Sequence, residues 1–256
     1  MATLLEEPSL RGVELGSDHW FSIQRDLIVR RPLVKATYET WYSTMLADAA
    51  TVHAPGAILE LGSGANFVKL IDPSVITSDL VPGNSDLVVD AQALPFGDEA
   101  LRAILLTHVL HHIPDPSRFF NEALRTLVPG GVITMIDVAH TPLARLLFGR
   151  FHPEGYDSKR KDWLLDTSGA YGGADQAMSW VLFQRDREAF ERRFPDLAIE
   201  EMRLLPWFGY LVSGGLTRRN LIPSWTVPAL RAVDRAGAAL NPLAALHWHI
   251  RLRKRA

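Results

Sequence analysis

Short apolar runs separated by turn signals recur through the middle of the chain. They fall at 57–61, 74–79, 86–90, 103–107 and 132–138. Each has the length of a buried parallel strand and is bounded by Gly, Pro, Asn, Asp or Ser. Between and around them the period changes to that of a helix. Tyr38, Trp41, Tyr42 and Met45 recur at spacings of three and four. That predicts a helix over 33–50, with Pro32 in its first turn. An earlier helix begins near Asp18 or Ser22, either of which can cap it. Pro116 opens a helix over 117–124, and others are expected over 143–151, 175–183 and 185–194. Residues 197–205 alternate in part and 246–253 alternate clearly, which predicts two further strands. Gly169-Ala170-Tyr171-Gly172-Gly173 reads as a flexible connection, and no internal repeat is present.

One stretch organises the rest. Ile58-Leu59-Glu60-Leu61 runs into Gly62-Ser63-Gly64-Ala65-Asn66 and then Phe67-Val68-Lys69-Leu70-Ile71. This reads as strand, tight loop and helix start. Glycines there allow unusual dihedrals and close approach of a ligand to the backbone. A helix start behind the loop leaves free N–H donors. A dinucleotide fingerprint would need glycine at Phe67, and a P-loop would need Gly-Lys-Ser/Thr, so neither pattern is met. Asp79 closes the second apolar run, where a parallel strand ends and a ribose can be held by a carboxylate.

Glu60-Leu61-Gly62-Ser63-Gly64-Ala65-Asn66 resembles motif I of the class I S-adenosylmethionine (SAM) methyltransferases. Asn66 stands for the third glycine and tolerates the left-handed conformation. Asp90-Ala91-Gln92-Ala93-Leu94-Pro95-Phe96 is similar to that family's adenine-binding stretch. Leu110-His111-His112-Ile113-Pro114-Asp115-Pro116 and the Leu127 to Gly131 turn resemble the members related to the ubiquinone and menaquinone pathways. The resemblance covers 57–138. It implies a Rossmann-like three-layer αβα sandwich with a seven-stranded, mostly parallel sheet and an antiparallel edge strand.

The resemblance also implies site roles. Glu60, Gly62, Ser63, Gly64 and Asn66 would surround the methionine part of SAM. Asp79, with Leu80 beside it, would hold the ribose. Asp90, Ala91, Gln92 and Leu94 would hold the adenine, and Thr107 and His108 would follow strand four near the sulfonium. The crossover from Asp79 to Asp90 is only 11 positions long. Where the family places a helix, a loop is expected here.

One domain is expected over 1–256. Helices over 18–50 would form either core or a lid, 57–138 the SAM-binding core, and 139–184 and 206–243 insertions around the acceptor. His108, His111 and His112 share one helical turn, yet no H-E-x-x-H pattern accompanies them. Structural, active-site and metal roles are all open to them, and no metal is expected. His111, His140 and His152 are the candidate general bases. Glu154, Tyr156 and Gln176 are further polar candidates in the first insertion.

The chain has 256 residues, 47% of them hydrophobic and 22% charged, with net charge −2. That balance argues against nucleic acid as a partner. The absence of cysteine excludes disulfides and thiolate metal sites. It fits a cytoplasmic protein, as does an N-terminus without signal-peptide character. Leu204 to Thr217 is uncharged but, at 14 residues, too short to span a bilayer. The aromatic 206–243 segment and the basic tail Arg251-Leu252-Arg253-Lys254-Arg255 suggest either a helical subdomain or dimer contact, or an interfacial patch for a lipid-linked acceptor. The expected activity is methylation of oxygen, nitrogen or carbon on a small-molecule or lipid-linked acceptor. SAM binding without transfer and nucleotide-linked oxidoreduction are the alternatives.

Overall fold

The computed structural model describes residues 6–14, 16–152, 154–166, 173–220 and 222–256. Residues 169–172 of the stretch read as flexible lie outside them. Helices α1 (Asp18–Arg30) and α2 (Pro32–Ala50) come first, and Ser17 caps α1 through Trp20 N–H. Strands β1 (Ala57–Leu61), β2 (Ile76–Asp79), β3 (Leu87–Val88) and β4 (Leu101–Thr107) follow. Helix α3 (Pro116–Thr126) leads directly into β5 (Leu127–Val138). Then come α4 (Pro142–Phe151), α5 (Met178–Trp180) with a π turn at Val181–Arg185, and α6 (Arg187–Arg193). Strand β6 (Leu197–Leu204), helices α7 (Phe208–Ser213), α8 (Val227–Ala236) and α9 (Asn241–Ala244), and strand β7 (His247–Lys254) complete the order.

The strands form one sheet in the order β3-β2-β1-β4-β5-β7-β6, with β1 to β5 parallel. The central strands are apolar throughout because both faces are covered. In β4, Ala103 and Leu105 join one hydrophobic cluster while Ile104 and Leu106 join the other. Tyr38, Trp41, Tyr42 and Met45 of α2 pack in the first of these clusters, whereas Phe119, Phe120, Phe190 and Phe194 of the α3–α6 layer pack in the second. The aromatic stripe of α2 is therefore core, and it is α1 that meets the glycine loop.

The αβα sandwich and mostly parallel sheet are as expected, but the antiparallel strand is not at the edge. Strand β7 pairs antiparallel with both β5 and β6, which leaves β6 outermost. The side chains decide this placement. Trp248, Ile250 and Leu252 line one face of β7 and His247 and His249 the other, all buried. Strand β6 carries Glu200, Glu201 and Arg203, charges that suit an edge.

Two local expectations change as well, and a third holds. The helix start after the glycine loop is a single 3-10 turn, Phe67–Leu70. Only six residues separate left-handed Asn66 from Pro73, too few for a longer helix. The turn at 128–131 is a bulge inside β5: Leu101 pairs with Leu127 and Ala103 with Val132, so four residues face Arg102 alone. The crossover between β2 and β3 is a loop, as the spacing implied. Asp86 closes it, accepting from Thr77 N–H at 3.0 Å and pairing with Lys69 at 2.6 Å.

Candidate functional site

The C-terminal ends of β1, β2 and β4 converge on the glycine loop. Gly62, Gly64 and Asn66 all take positive φ, at 61°, 47° and 53°. Asn66 thus adopts the left-handed conformation expected of it. Gly62 cannot carry a side chain, because a Cβ would lie 2.5 Å from Val109. The loop is tied to β2 on both sides. Ser63 exchanges hydrogen bonds with Ser78, and Gly64 N–H donates to Asp79 Oδ2 at 3.0 Å. Asp79 Oδ1 accepts from Val81 N–H, and Leu80 beside it is exposed. Above the loop, Phe21 of α1 sits where a Cβ on Gly64 would come to 3.3 Å. Asn66 Nδ2 donates to Asn84 O, which pins the crossover loop over the same turn.

Glu60 is fully buried. Its Oε1 accepts from Tyr42 O–H at 2.5 Å, and its Oε2 has no partner. Burial pushes its carboxyl up to about 7. A half-satisfied buried carboxyl beside a glycine cradle suits a cationic ligand group.

Just beyond β3, Asp90 is exposed and folds back on its own turn, accepting from Gln92 N–H at 2.8 Å. Gln92 Oε1 accepts from Asp115 N–H, joining this turn to the start of α3. Ala91 packs against the core and Leu94 is buried in it. Leu94 N–H donates to Glu122, and Arg125 donates to Leu94 O and Phe96 O. The Glu122–Arg125 pair thus fixes the turn. Sequence reading missed it, although its i, i+3 spacing on a predicted helix was a signal.

Thr107 ends β4, and His108 follows with φ 58°. The His108 ring packs on Trp41 and on His247, with centroids 5.4 and 4.7 Å away. Tyr210 of α7 meets both Trp41 and His247. Burial lowers His108 to about 4, and its Nε2 has no partner.

His111 is buried one turn further on. Its Nδ1 contacts Asp137 Oδ1 at 2.6 Å and its Nε2 lies 3.5 Å from Glu154 Oε2. Burial alone would lower its pKa, but Asp137 and then Glu154 outweigh that and carry it up to about 10. His112 Nε2 is 3.6 Å from Glu154 Oε1. Burial and then His111 lower it to about 4. His152 reaches the same group: its Nδ1 accepts from Glu154 N–H and lies 3.7 Å from Glu154 Oε2. Gln176 Nε2 also donates to Glu154.

The structure therefore brings His111 and His152 together through Glu154, but gives His140 other partners. His140 Nδ1 meets Tyr156 O–H at 2.7 Å and its ring stacks on Trp180 at 3.8 Å. Asp137 and His247 were not singled out from the sequence. A carboxylate inside the apolar run Ile136-Asp137-Val138 was the available signal for the first. Nothing local marked the second, whose partners lie on α2, α4, α7 and the turn after β4.

Residues 59–135 match the family described as methyltransferase domain. An uncharacterized methyltransferase of Mycobacterium sp. (strain KMS) is 29% identical over 113 residues, covering 36% of this chain and 45% of that protein. One from Mycobacterium leprae (strain Br4923) is 39% identical over 57 residues, covering 22% and 21%. The chain thus spans less than half the length of these curated relatives. Among solved structures, the complex of the Haloferax volcanii Trm112 methyltransferase activator with its methyltransferase is similar in fold. It aligns with TM-score 0.51 and 14% identity, over 93% of this chain and 96% of that one.

Proposed function

We propose that the protein binds SAM and transfers its methyl group to a small-molecule or lipid-linked acceptor, a reading that starts from the match of residues 59–135 to the methyltransferase domain family. The observation that carries this reading is the left-handed glycine turn held against Asp79, beside the half-satisfied carboxyl of Glu60. A glycine turn open to close approach and a carboxylate at strand ends suit a nucleoside with a cationic amino-acid tail. Glu60 would receive the ammonium of the methionine part. Asp79 keeps lone pairs for ribose hydroxyls after accepting from Gly64 and Val81. Leu80, Ala91 and Leu94 supply apolar surface for the adenine. Phe67 occupies the place that a dinucleotide fingerprint gives to glycine and is buried against Tyr38 and Tyr42, which disfavours the oxidoreductase alternative.

Bound SAM supplies a methyl group activated by the sulfonium charge. The chain's task is then positioning and exclusion of water. Trp41, His108, Tyr210 and His247 close over the ends of β4 and β7 and would exclude water there. An oxygen or nitrogen acceptor must also lose a proton. Of the three candidate bases, His111 is held protonated between two carboxylates at neutral pH, whereas His140 and His152 are lowered, chiefly by burial. His152, in the same cluster as His111, is the better placed proton acceptor.

A lipid-linked acceptor is favoured by the apolar side chains exposed on the insertions. Phe151, Trp225, Val233, Leu240 and Leu243 are exposed, and Arg231 and Arg235 lie on α8 among them. Among the described residues no helix is long and apolar enough to cross a membrane, so contact would be peripheral. The test is a turnover assay with SAM and two acceptor classes, hydroxylated metabolites and lipid-linked compounds in vesicles, reading the demethylated cofactor. Product formed with the vesicle class supports the full reading. Product formed only with soluble acceptors removes the lipid part, and SAM binding with no product from either would favour a binding protein without transfer.

A further inference from the structure

We propose that His111, His112 and Glu154 form a site for one divalent first-row transition-metal ion. One ring nitrogen of His111, one of His112 and one carboxylate oxygen of Glu154 lie within 4.8 Å of one another. The two imidazole-to-carboxylate separations, 3.5 and 3.6 Å, are long for hydrogen bonds. They are close to the ~3.3 Å that separates two ligands of one tetrahedral zinc ion with bonds near 2.0–2.1 Å.

The surroundings are those of a ligand set. His111 is turned by Asp137, whose carboxylate takes Nδ1 and leaves Nε2 facing Glu154. That carboxylate–imidazole arrangement fixes the tautomer and orientation of metal-binding histidines. Gln176 Nε2 donates to Glu154 Oε2, the oxygen that also faces His111 Nε2, while Gln176 Oε1 and Asp137 Oδ2 are buried without partners. Binding at Nε2 needs the neutral His111 ring, so an ion entering here would displace the Nε2 proton while Asp137 keeps its contact with Nδ1. Two imidazoles and one carboxylate suit Zn²⁺, Fe²⁺ or Mn²⁺ with positions left open for water or a substrate oxygen. The sequence hid the site because Glu154 lies 42 positions after His112, and the expected H-E-x-x-H spacing is absent.

The consequence for catalysis rests on the proposed methyl transfer: a cation here would lower the pKa of an acceptor hydroxyl. The binding itself does not rest on it. The experiment is calorimetric titration of the untagged chain with ZnCl₂ alone, repeated for His112→Ala, Glu154→Gln and His53→Ala. Co²⁺ absorption is recorded in parallel. Saturation at one ion per chain, Co²⁺ bands of a four- or five-coordinate site, and at least tenfold weaker binding in the first two variants are expected, with His53→Ala unchanged. His112 is partly exposed and its replacement leaves the core intact, which guards against loss of fold in Glu154→Gln. Absence of saturable binding, or binding that His112→Ala leaves unaltered, would overturn the site. Titrating His112→Ala with demethylated SAM separates the two readings, since that affinity stays at the wild-type value.

Discussion

Asp79 both shapes the glycine turn and offers the ribose acceptors, so its removal acts at one residue with two consequences. Asp79→Ala takes away charge-assisted hydrogen bonds of roughly 1.5–3 kcal/mol. Affinity for SAM in calorimetry should fall about tenfold to a hundredfold; an unchanged affinity in a folded variant would exclude the ribose role. Glu60 makes a different prediction. It titrates near 4.5 when unfolded and about 7 when folded. Between those values the folded state binds more protons, so stability falls as pH rises through this window. The gap corresponds to about 3 kcal/mol. Urea denaturation at pH 5 and pH 8 should show a pH-dependent loss in wild type that Glu60→Gln lacks. Parallel profiles for the two proteins would show that Glu60 is not titrating there. These residues were legible in the sequence because the motif places acid and glycines in one continuous stretch. Asp137 and His247 were not, because their partners are assembled only by the sheet.

At the level of elements, α7 is tied by polar contacts to α8 and to the N-terminal helices. Asp234 on α8 accepts from Phe208 N–H at 2.8 Å and Gly209 N–H at 3.1 Å, capping α7 from another helix. Arg31 donates to Gly215 O and Arg218 O and pairs with Glu7. Asp234→Ala leaves two helix-start N–H groups without their acceptor, a cost of about 1 kcal/mol. Hydrogen exchange across 206–216 should quicken while the β4 and β5 amides keep their protection; uniform loss of protection would mean that α7 is not an independent lid. Strands β1, β4 and β5 were legible from apolar runs of the right length. The antiparallel position of β7 was assigned to the edge because alternation gives a strand its faces but not its neighbours. The helix start after the glycine loop is cut to one 3-10 turn ahead of Pro73, a signal present in the sequence but outweighed by the apolar run from Phe67 to Ile71.

Across the whole molecule, one buried network joins the N-terminal layer to the last strand. Asp48 of α2 takes His249 Nε2 at 2.7 Å, Thr134 O–H at 2.6 Å and Arg251 Nη1 at 2.7 Å. It spans 203 positions between Asp48 and Arg251, and no local pattern announces it. Asp48→Ala would leave Arg251 and His249 without their shared carboxylate, costing about 3 kcal/mol in denaturant unfolding; a change below about 0.5 kcal/mol would show that the network carries no load. The bonds to His249, Thr134 and Arg251 lower the Asp48 pKa against the opposing effect of burial. Its contribution is therefore present above the ordinary carboxylate range and lost as pH falls through it.

The central claim is that this fold holds SAM. It is tested most directly by titrating the purified protein in a calorimeter with SAM, its demethylated product and NAD side by side. Micromolar binding of both sulfur ligands, with no heat from NAD, is the predicted result. Binding of NAD, or silence from both sulfur ligands in a folded sample, would contradict the account.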